Sequence, residues 1–275
     1  MLSNATEYYY ATSLKDALKK LGKNGEQVPV PVTGAFHLIA GKLRAATCLV
    51  DISATGLDTI TVAGKKATIG GTATFQQIVK AKDLPAVVRD AARAYSTIVQ
   101  RNATTLQDAL FGGVKYFDLI TALLALDTQV TIAGRAKRVV PLAEASLIHQ
   151  EIATQFTFKM PAAASLQRIA LTDGDAVAIL NVVAVLQMTG KKVTEAKIAV
   201  GGGLPAPVRL PAIEQELAGK VLDVALVESV VGKVAGMIEP ESDFRGSAQY
   251  RKHISGVLVR RAIEEAFQMA KGRSL

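Results

Sequence analysis

The sequence predicts an α+β fold in two parts, an α/β first half followed by a second half in which long strands precede helices. Three observations carry this expectation. Helix and strand signals alternate up to about residue 158. The run Met160-Pro161-Ala162-Ala163-Ala164 then marks a boundary. Beyond it, two long and mostly apolar strands come first and helices afterwards, the order of an α+β domain.

The elements follow from local chemistry. Ser13 is a good N-cap for a helix over 14–21, whose leucines repeat at helical spacing and whose end is marked by Gly22. Residues 28–32 read as a short strand interrupted by Pro29 and Pro31, and 48–52 as another. Strands at 59–62 and 66–69 form a hairpin across Ala63-Gly64-Lys65. Helices are expected over 74–81, 86–95 and 117–126, the last apolar enough to be largely buried, followed by strands at 129–133 and 138–140. Past the boundary, strands over 176–188 and 192–200 are joined by Thr189-Gly190-Lys191, and helices follow at 211–217 and 222–234. A final helix starts near Ser247. It is expected to place Tyr250, Ile254, Val257, Leu258 and Ala262 on one face, with Arg251, Lys252, Arg260 and Arg261 largely outside it.

Composition narrows the class of function. The 275 residues suffice for a sizeable core, in one large domain or two smaller ones. The net charge of +8 is spread along the chain, without an arginine-rich arm or an aromatic RNA-binding signature. A solvated basic surface is the preferred reading, an acidic partner subunit the second and nucleic acid a distant third. Cys48 is the only cysteine, which excludes internal disulfides and any iron–sulfur cluster ligated by this chain alone; before Leu49-Val50 it reads as core. The histidines His37, His149 and His253 lack metal-ligand spacing. The first ten residues lack a signal-peptide pattern, and no apolar run reaches the roughly 18 residues of a membrane span, so a cytoplasmic chain is expected.

Four stretches carry a resemblance. Asp243-Phe244-Arg245-Gly246-Ser247-Ala248-Gln249-Tyr250-Arg251 leads into Val257-Leu258-Val259-Arg260-Arg261-Ala262. Upstream stands Ala199-Val200-Gly201-Gly202-Gly203-Leu204-Pro205-Ala206-Pro207-Val208-Arg209. In the first half come Ile69-Gly70-Gly71-Thr72-Ala73-Thr74 and Asp118-Leu119 through Leu123-Leu124-Ala125-Leu126-Asp127. Their sequence, order and spacing resemble the flavin-binding medium subunit of molybdenum hydroxylases, the xanthine and carbon monoxide dehydrogenase type. The resemblance implies a PCMH-type FAD-binding domain over 1–158, built of two α/β subdomains (about 1–53 and 54–158), then a C-terminal flavoprotein domain over 164–275. FAD would lie between the subdomains with its pyrophosphate on two glycine-containing loops, where backbone N–H groups approach the phosphates closely.

Both loops depart from the family pattern. Where the first reads A-G-G-T-D-L, this chain has Thr33-Gly34-Ala35-Phe36-His37-Leu38. Gly34 is kept, Ala35 replaces a glycine, Phe36 replaces the hydroxyl-bearing residue, and His37 replaces an acid. His37 is either a phosphate contact when protonated or a packing residue. The second loop, R-N-R-G-T-I-G-G-N-L, here runs from Arg101-Asn102 to Thr105-Leu106-Gln107-Asp108-Ala109-Leu110. Thr105 keeps its place, but Gln107 and Asp108 stand where the glycines would. A carboxylate 4–5 Å from a phosphate would repel it by about 3–4 kcal/mol at an effective dielectric near 20. Three further family contacts are matched by Asp118, Arg168 and Tyr95, for which a helix N-cap, a surface strand residue and packing are the alternatives.

Two functions remain open. The resemblance implies an electron-transfer subunit, with molybdopterin on a large partner subunit and [2Fe–2S] clusters on a small one passing electrons to FAD here, and onward to NAD or another acceptor. No acid–base dyad or nucleophile is expected in such a chain. The alternative is a flavin-free or weakly flavin-binding scaffold subunit of the same kind of complex, which the substituted glycines favour.

Overall fold

A computed structural model describes residues 5–22, 28–34, 45–112, 118–172 and 177–272. The chain divides into two compact units, and each draws on separate stretches of sequence. The first takes residues 1–84, 97–114 and 128–159, the second 85–96, 115–127 and 160–275.

In the first unit, strands β1 (Glu7–Tyr10), β2 (Pro29–Val32) and β3 (Cys48–Asp51) form a parallel sheet in the order β1-β3-β2. Helix α1 (Leu14–Leu21) starts where expected, with the Ser13 hydroxyl accepting from the Asp16 amide at 3.1 Å. It buries Ala17 and Leu21 in a core shared with Ala11, Cys48, Val50 and Ile52. The core reading of Cys48 therefore holds. A five-stranded antiparallel sheet follows the order β4-β5-β8-β6-β7, from β4 (Ile60–Ala63), β5 (Lys66–Gly70), β6 (Gln129–Ala133), β7 (Arg138–Pro141) and β8 (Ile152–Lys159). Helix α2 (Phe75–Lys80) opens on a reciprocal cap between Thr74 and Gln77.

The second unit centres on an antiparallel sheet ordered β12-β11-β10-β9, from β9 (Ala163–Ile169), β10 (Leu180–Thr189), β11 (Lys192–Gly202) and β12 (Val208–Arg209). Its helices include two from the first half of the chain, α3 (Ala86–Arg93) and α6 (Asp118–Ala125). All eight residues of α6 are buried, as its apolar sequence leads one to expect. Its approach to the sheet is very close: a Cβ on Gly201 would lie 2.1 Å from the Thr121 hydroxyl oxygen. The other helices are α7 (Pro211–Leu217), α8 (Val224–Val234) and α9 (Ala248–Ala270). Helix α8 starts two residues later than the sequence suggests because the Asp223 carboxylate caps it, accepting from the Leu226 amide at 2.8 Å.

Other expectations are corrected. Strand β10 starts at Leu180, not 176. Strands β1 and β8 and helices α4 (Ile98–Ala103) and α5 (Leu106–Gly112) were not foreseen. The buried face of α9 is rotated from the predicted one: it runs through Arg251, Ser255, Leu258, Val259, Ala262 and Ile263, whereas Tyr250 and Val257 are exposed. Two polar anchors fix that rotation. The Ser165 hydroxyl donates to the Ala262 carbonyl at 2.6 Å, and the wholly buried Arg251 donates its Nε–H to the Ile179 carbonyl at 3.0 Å.

Candidate functional site

The residues singled out from sequence fall into two clusters, one in each unit. In the first unit, Thr33 directly follows β2, so its hydroxyl stands at the carboxyl end of a parallel strand, the usual place for ligand contacts in such sheets. Gly34 follows with φ of +141°, a conformation that favours glycine. Across from it, α5 begins at Leu106 where a loop was expected. Thr105 and Asp108 cap this helix reciprocally: the Thr105 hydroxyl accepts from the Asp108 amide at 3.1 Å, and the Asp108 carboxylate accepts from the Thr105 amide at 3.3 Å. The same carboxylate oxygen also accepts from the hydroxyls of Thr105, at 3.0 Å, and of Thr33. The two threonine hydroxyls lie 3.1 Å apart. Asp108 is 1% exposed, so its side chain is turned inward and not to solvent.

Gln107 takes another direction. Its Oε1 accepts from the Ala153 amide at 2.7 Å and its own amide donates to the Gly71 carbonyl at 2.8 Å. Its side chain thus ties the start of α5 to β8. Ala35, Phe36 and His37 lie outside the described residues, and with them the readings of those positions.

In the second unit, Asp118 opens α6 and meets Arg168 of β9, whose Nε lies 3.0 Å from its carboxylate. Asn181, paired with Arg168 across β9 and β10, donates to the other Asp118 oxygen. Burial raises the Asp118 pKa to about 6, against the opposing pull of the Arg168 charge and the hydrogen bonds from Arg168 and Asn181. Asp118 is therefore more than a helix cap, and Arg168 more than a surface strand residue. Asn181 carried no sequence signal. Tyr95 lies half-buried just past α3. A separate groove of about 610 Å³ is lined by Gln167, Leu222, Val224, Val227, Arg261 and Phe267, none of which the sequence reading proposed as a site residue.

A family model described as "FAD binding domain in molybdopterin dehydrogenase" matches residues 4–156, more than half of the 275. The chain belongs to that family. A second model, "CO dehydrogenase flavoprotein C-terminal domain", matches residues 165–266. Among relatives, the glyceraldehyde dehydrogenase medium chain of Sulfolobus acidocaldarius is 25% identical over 277 residues, covering 94% of this chain and 97% of that one. The carbon monoxide dehydrogenase medium chain of Afipia carboxidovorans is 26% identical, with 98% and 100% covered. The fold is shared with reconstituted CO dehydrogenase from Oligotropha carboxidovorans, at a TM-score of 0.87 and 24% identity over 98% of this chain and 100% of that one.

For a member of an FAD-binding family, the question is whether these residues suit the cofactor. The first-unit cluster does suit an anionic group, because it already holds one. Two hydroxyls and one amide, from two separate elements, converge on the Asp108 carboxylate as they would on a phosphate oxygen. No helix among the described residues is long and apolar enough to cross a membrane.

Proposed function

We propose that this chain is the FAD-carrying electron-transfer subunit of a molybdenum hydroxylase complex. In this reading a large partner subunit bears molybdopterin, a small one bears [2Fe–2S] clusters, and an acceptor takes the electrons. Bound FAD supplies the redox chemistry through its isoalloxazine ring; the chain supplies position and electrostatics. Thr33, Gly34 and Thr105 are assigned to the pyrophosphate, together with the neighbouring 35–37 segment. Asp118, Arg168 and Tyr95 are assigned to the rest of the cofactor, as the resemblance implies. The observation that supports this most is the convergence of donors from the end of β2 and the start of α5 on one negative charge.

A second reading, a scaffold subunit with little or no flavin, is favoured by a specific observation: those donors are already engaged by Asp108. A visible absorption spectrum of the purified full-length chain, taken after FAD addition and dialysis, separates the two. A retained flavin spectrum near one per chain upholds the electron-transfer role. A colourless protein sinks it in favour of the scaffold.

A further inference from the structure

We infer that Asp108 is a tethered competitor for the pyrophosphate, so that the strength of FAD binding in this chain is set by how readily its carboxylate gives up Thr33 and Thr105. The inference rests on the reading that a dinucleotide pyrophosphate is seated at these two elements.

The argument starts from donor counting. One oxygen of Asp108 accepts from the Thr33 hydroxyl, the Thr105 hydroxyl and the Thr105 amide. A donor satisfied by this carboxylate is not available to a phosphate oxygen. Both groups cannot share the donors, because two negative charges within hydrogen-bonding distance of the same atoms repel strongly, and at 1% exposure little solvent screens them. Binding of a pyrophosphate therefore requires the carboxylate to move or be neutralised first, and that cost subtracts from affinity.

Helix capping explains only part of this arrangement. The Thr105–Asp108 pair would form in any helix that begins this way. The bond from Thr33 is different: it comes from the end of a strand 75 residues away in sequence and ties that strand end to the start of α5. A cap has no use for it, whereas a competitor for a ligand held by both elements must have it.

Asp108→Asn separates the two roles, since its amide oxygen still accepts hydrogen bonds while the charge is gone; Asp108→Gly removes both. FAD, ADP and riboflavin are titrated into the full-length wild type and both variants, followed by flavin fluorescence or by ligand depletion on ultrafiltration. Melting temperatures without ligand are recorded alongside. The expected result is FAD and ADP affinity at least about tenfold higher in Asp108→Asn, a shift of 1.4 kcal/mol or more, with riboflavin, which lacks the pyrophosphate, unchanged. Its melting temperature should stay within a few degrees of wild type. Measurable FAD binding with equal or lower affinity in Asp108→Asn overturns the competitor while leaving the flavin reading intact. Absence of FAD and ADP binding in wild type and in a folded Asp108→Asn overturns both. A general loss of stability without a gain in affinity reduces Asp108 to a helix cap. Should Asp108→Gly fail to fold, Asp108→Asn alone decides.

Discussion

Asp118 and Arg168, fifty positions apart, form an ion pair whose acid is almost wholly buried, with Nε 3.0 Å from the carboxylate. Because burial raises the acid to about 6, its charged form is less favoured in the folded chain than in the unfolded one. The folded state thus binds the proton more tightly, and the stabilisation this gives is full below the ordinary carboxylate pKa near 4 and lost as pH rises through about 6.

The first prediction follows from that sign. Urea unfolding of wild type and Asp118→Asn at pH 4.5 and 7.5 should show the wild type gaining about 2 kcal/mol relative to the variant at the lower pH, from a shift of roughly two pKa units. A stability difference independent of pH over that range would mean that Asp118 titrates as an ordinary exposed carboxylate.

Arg251 gives the second. It has no exposed surface and donates to the Ile179 carbonyl, the Glu241 carbonyl and the Asp243 carboxylate. Burial by itself would raise the Asp243 pKa, but bonds from Arg245 and Arg251 hold it well below the usual carboxylate range. Its stem packs against a backbone that only glycine allows, since a Cβ on Gly203 would lie 2.2 Å from Arg251 Nε. Arg251→Ala should cost about 2–4 kcal/mol, because it empties a buried space and leaves the Ile179 carbonyl without its donor. Gly203→Ala should cost about 2–4 kcal/mol by displacing the same side chain. The double variant should lose much less than the sum, because both changes act on one contact. Additive losses would show that the two residues are not coupled.

Much of this architecture was legible in the sequence, for reasons that can be named. Helix α1 announced itself through Ser13, its leucines and Gly22, and α6 through a largely apolar run, because these signals are local. The glycines of the 201–203 segment could be recognised as a family feature, but their purpose could not. Gly201 and Gly203 are small because Thr121 and Arg251, far away in sequence, come within van der Waals reach of their backbone. Arg251 itself was misread for the same reason: helical spacing favours apolar residues for the buried face, and it gives no hint that backbone carbonyls elsewhere await a guanidinium. At the candidate site, sequence located Thr33, Thr105 and Asp108 individually. Their meeting depends on a fold that joins positions up to 75 apart in sequence, and Asn181 carried no mark of its place beside Asp118.

Thr105 supplies the third prediction. Its hydroxyl accepts from the Asp108 amide at 3.1 Å and donates to the Asp108 carboxylate at 3.0 Å, so it caps α5 and satisfies a buried charge together. Thr105→Val, nearly isosteric, should destabilise by about 1–3 kcal/mol, combining a lost cap with a less satisfied carboxylate. Thr105→Ser should recover most of that. A Thr105→Val variant as stable as wild type, with a loss confined to Thr105→Ser in chemical denaturation, would show that the methyl packing matters and the hydroxyl does not.

Gln107 provides the last, and it runs against intuition drawn from the family. Replacing it by the glycine that the family loop carries removes the Oε1 that accepts from the Ala153 amide at 2.7 Å, at a position only 1% exposed. A buried amide left without a partner costs about 1–3 kcal/mol, and glycine in the first turn of a helix adds roughly 0.5–1 kcal/mol relative to alanine. Gln107→Gly should therefore lower stability by about 2–4 kcal/mol in urea unfolding. Gln107→Glu, which keeps an acceptor for the amide but brings charge to the same buried place, should become more destabilising as pH rises through the carboxylate range, since burial disfavours the ionised form. Among the described residues the buried Nε2 of Gln107 has no hydrogen-bond partner, so an acceptor alone suffices at this position once it is neutral. A Gln107→Gly variant as stable as wild type would show that water replaces the glutamine at the Ala153 amide, and that the tie between α5 and β8 does not depend on this side chain.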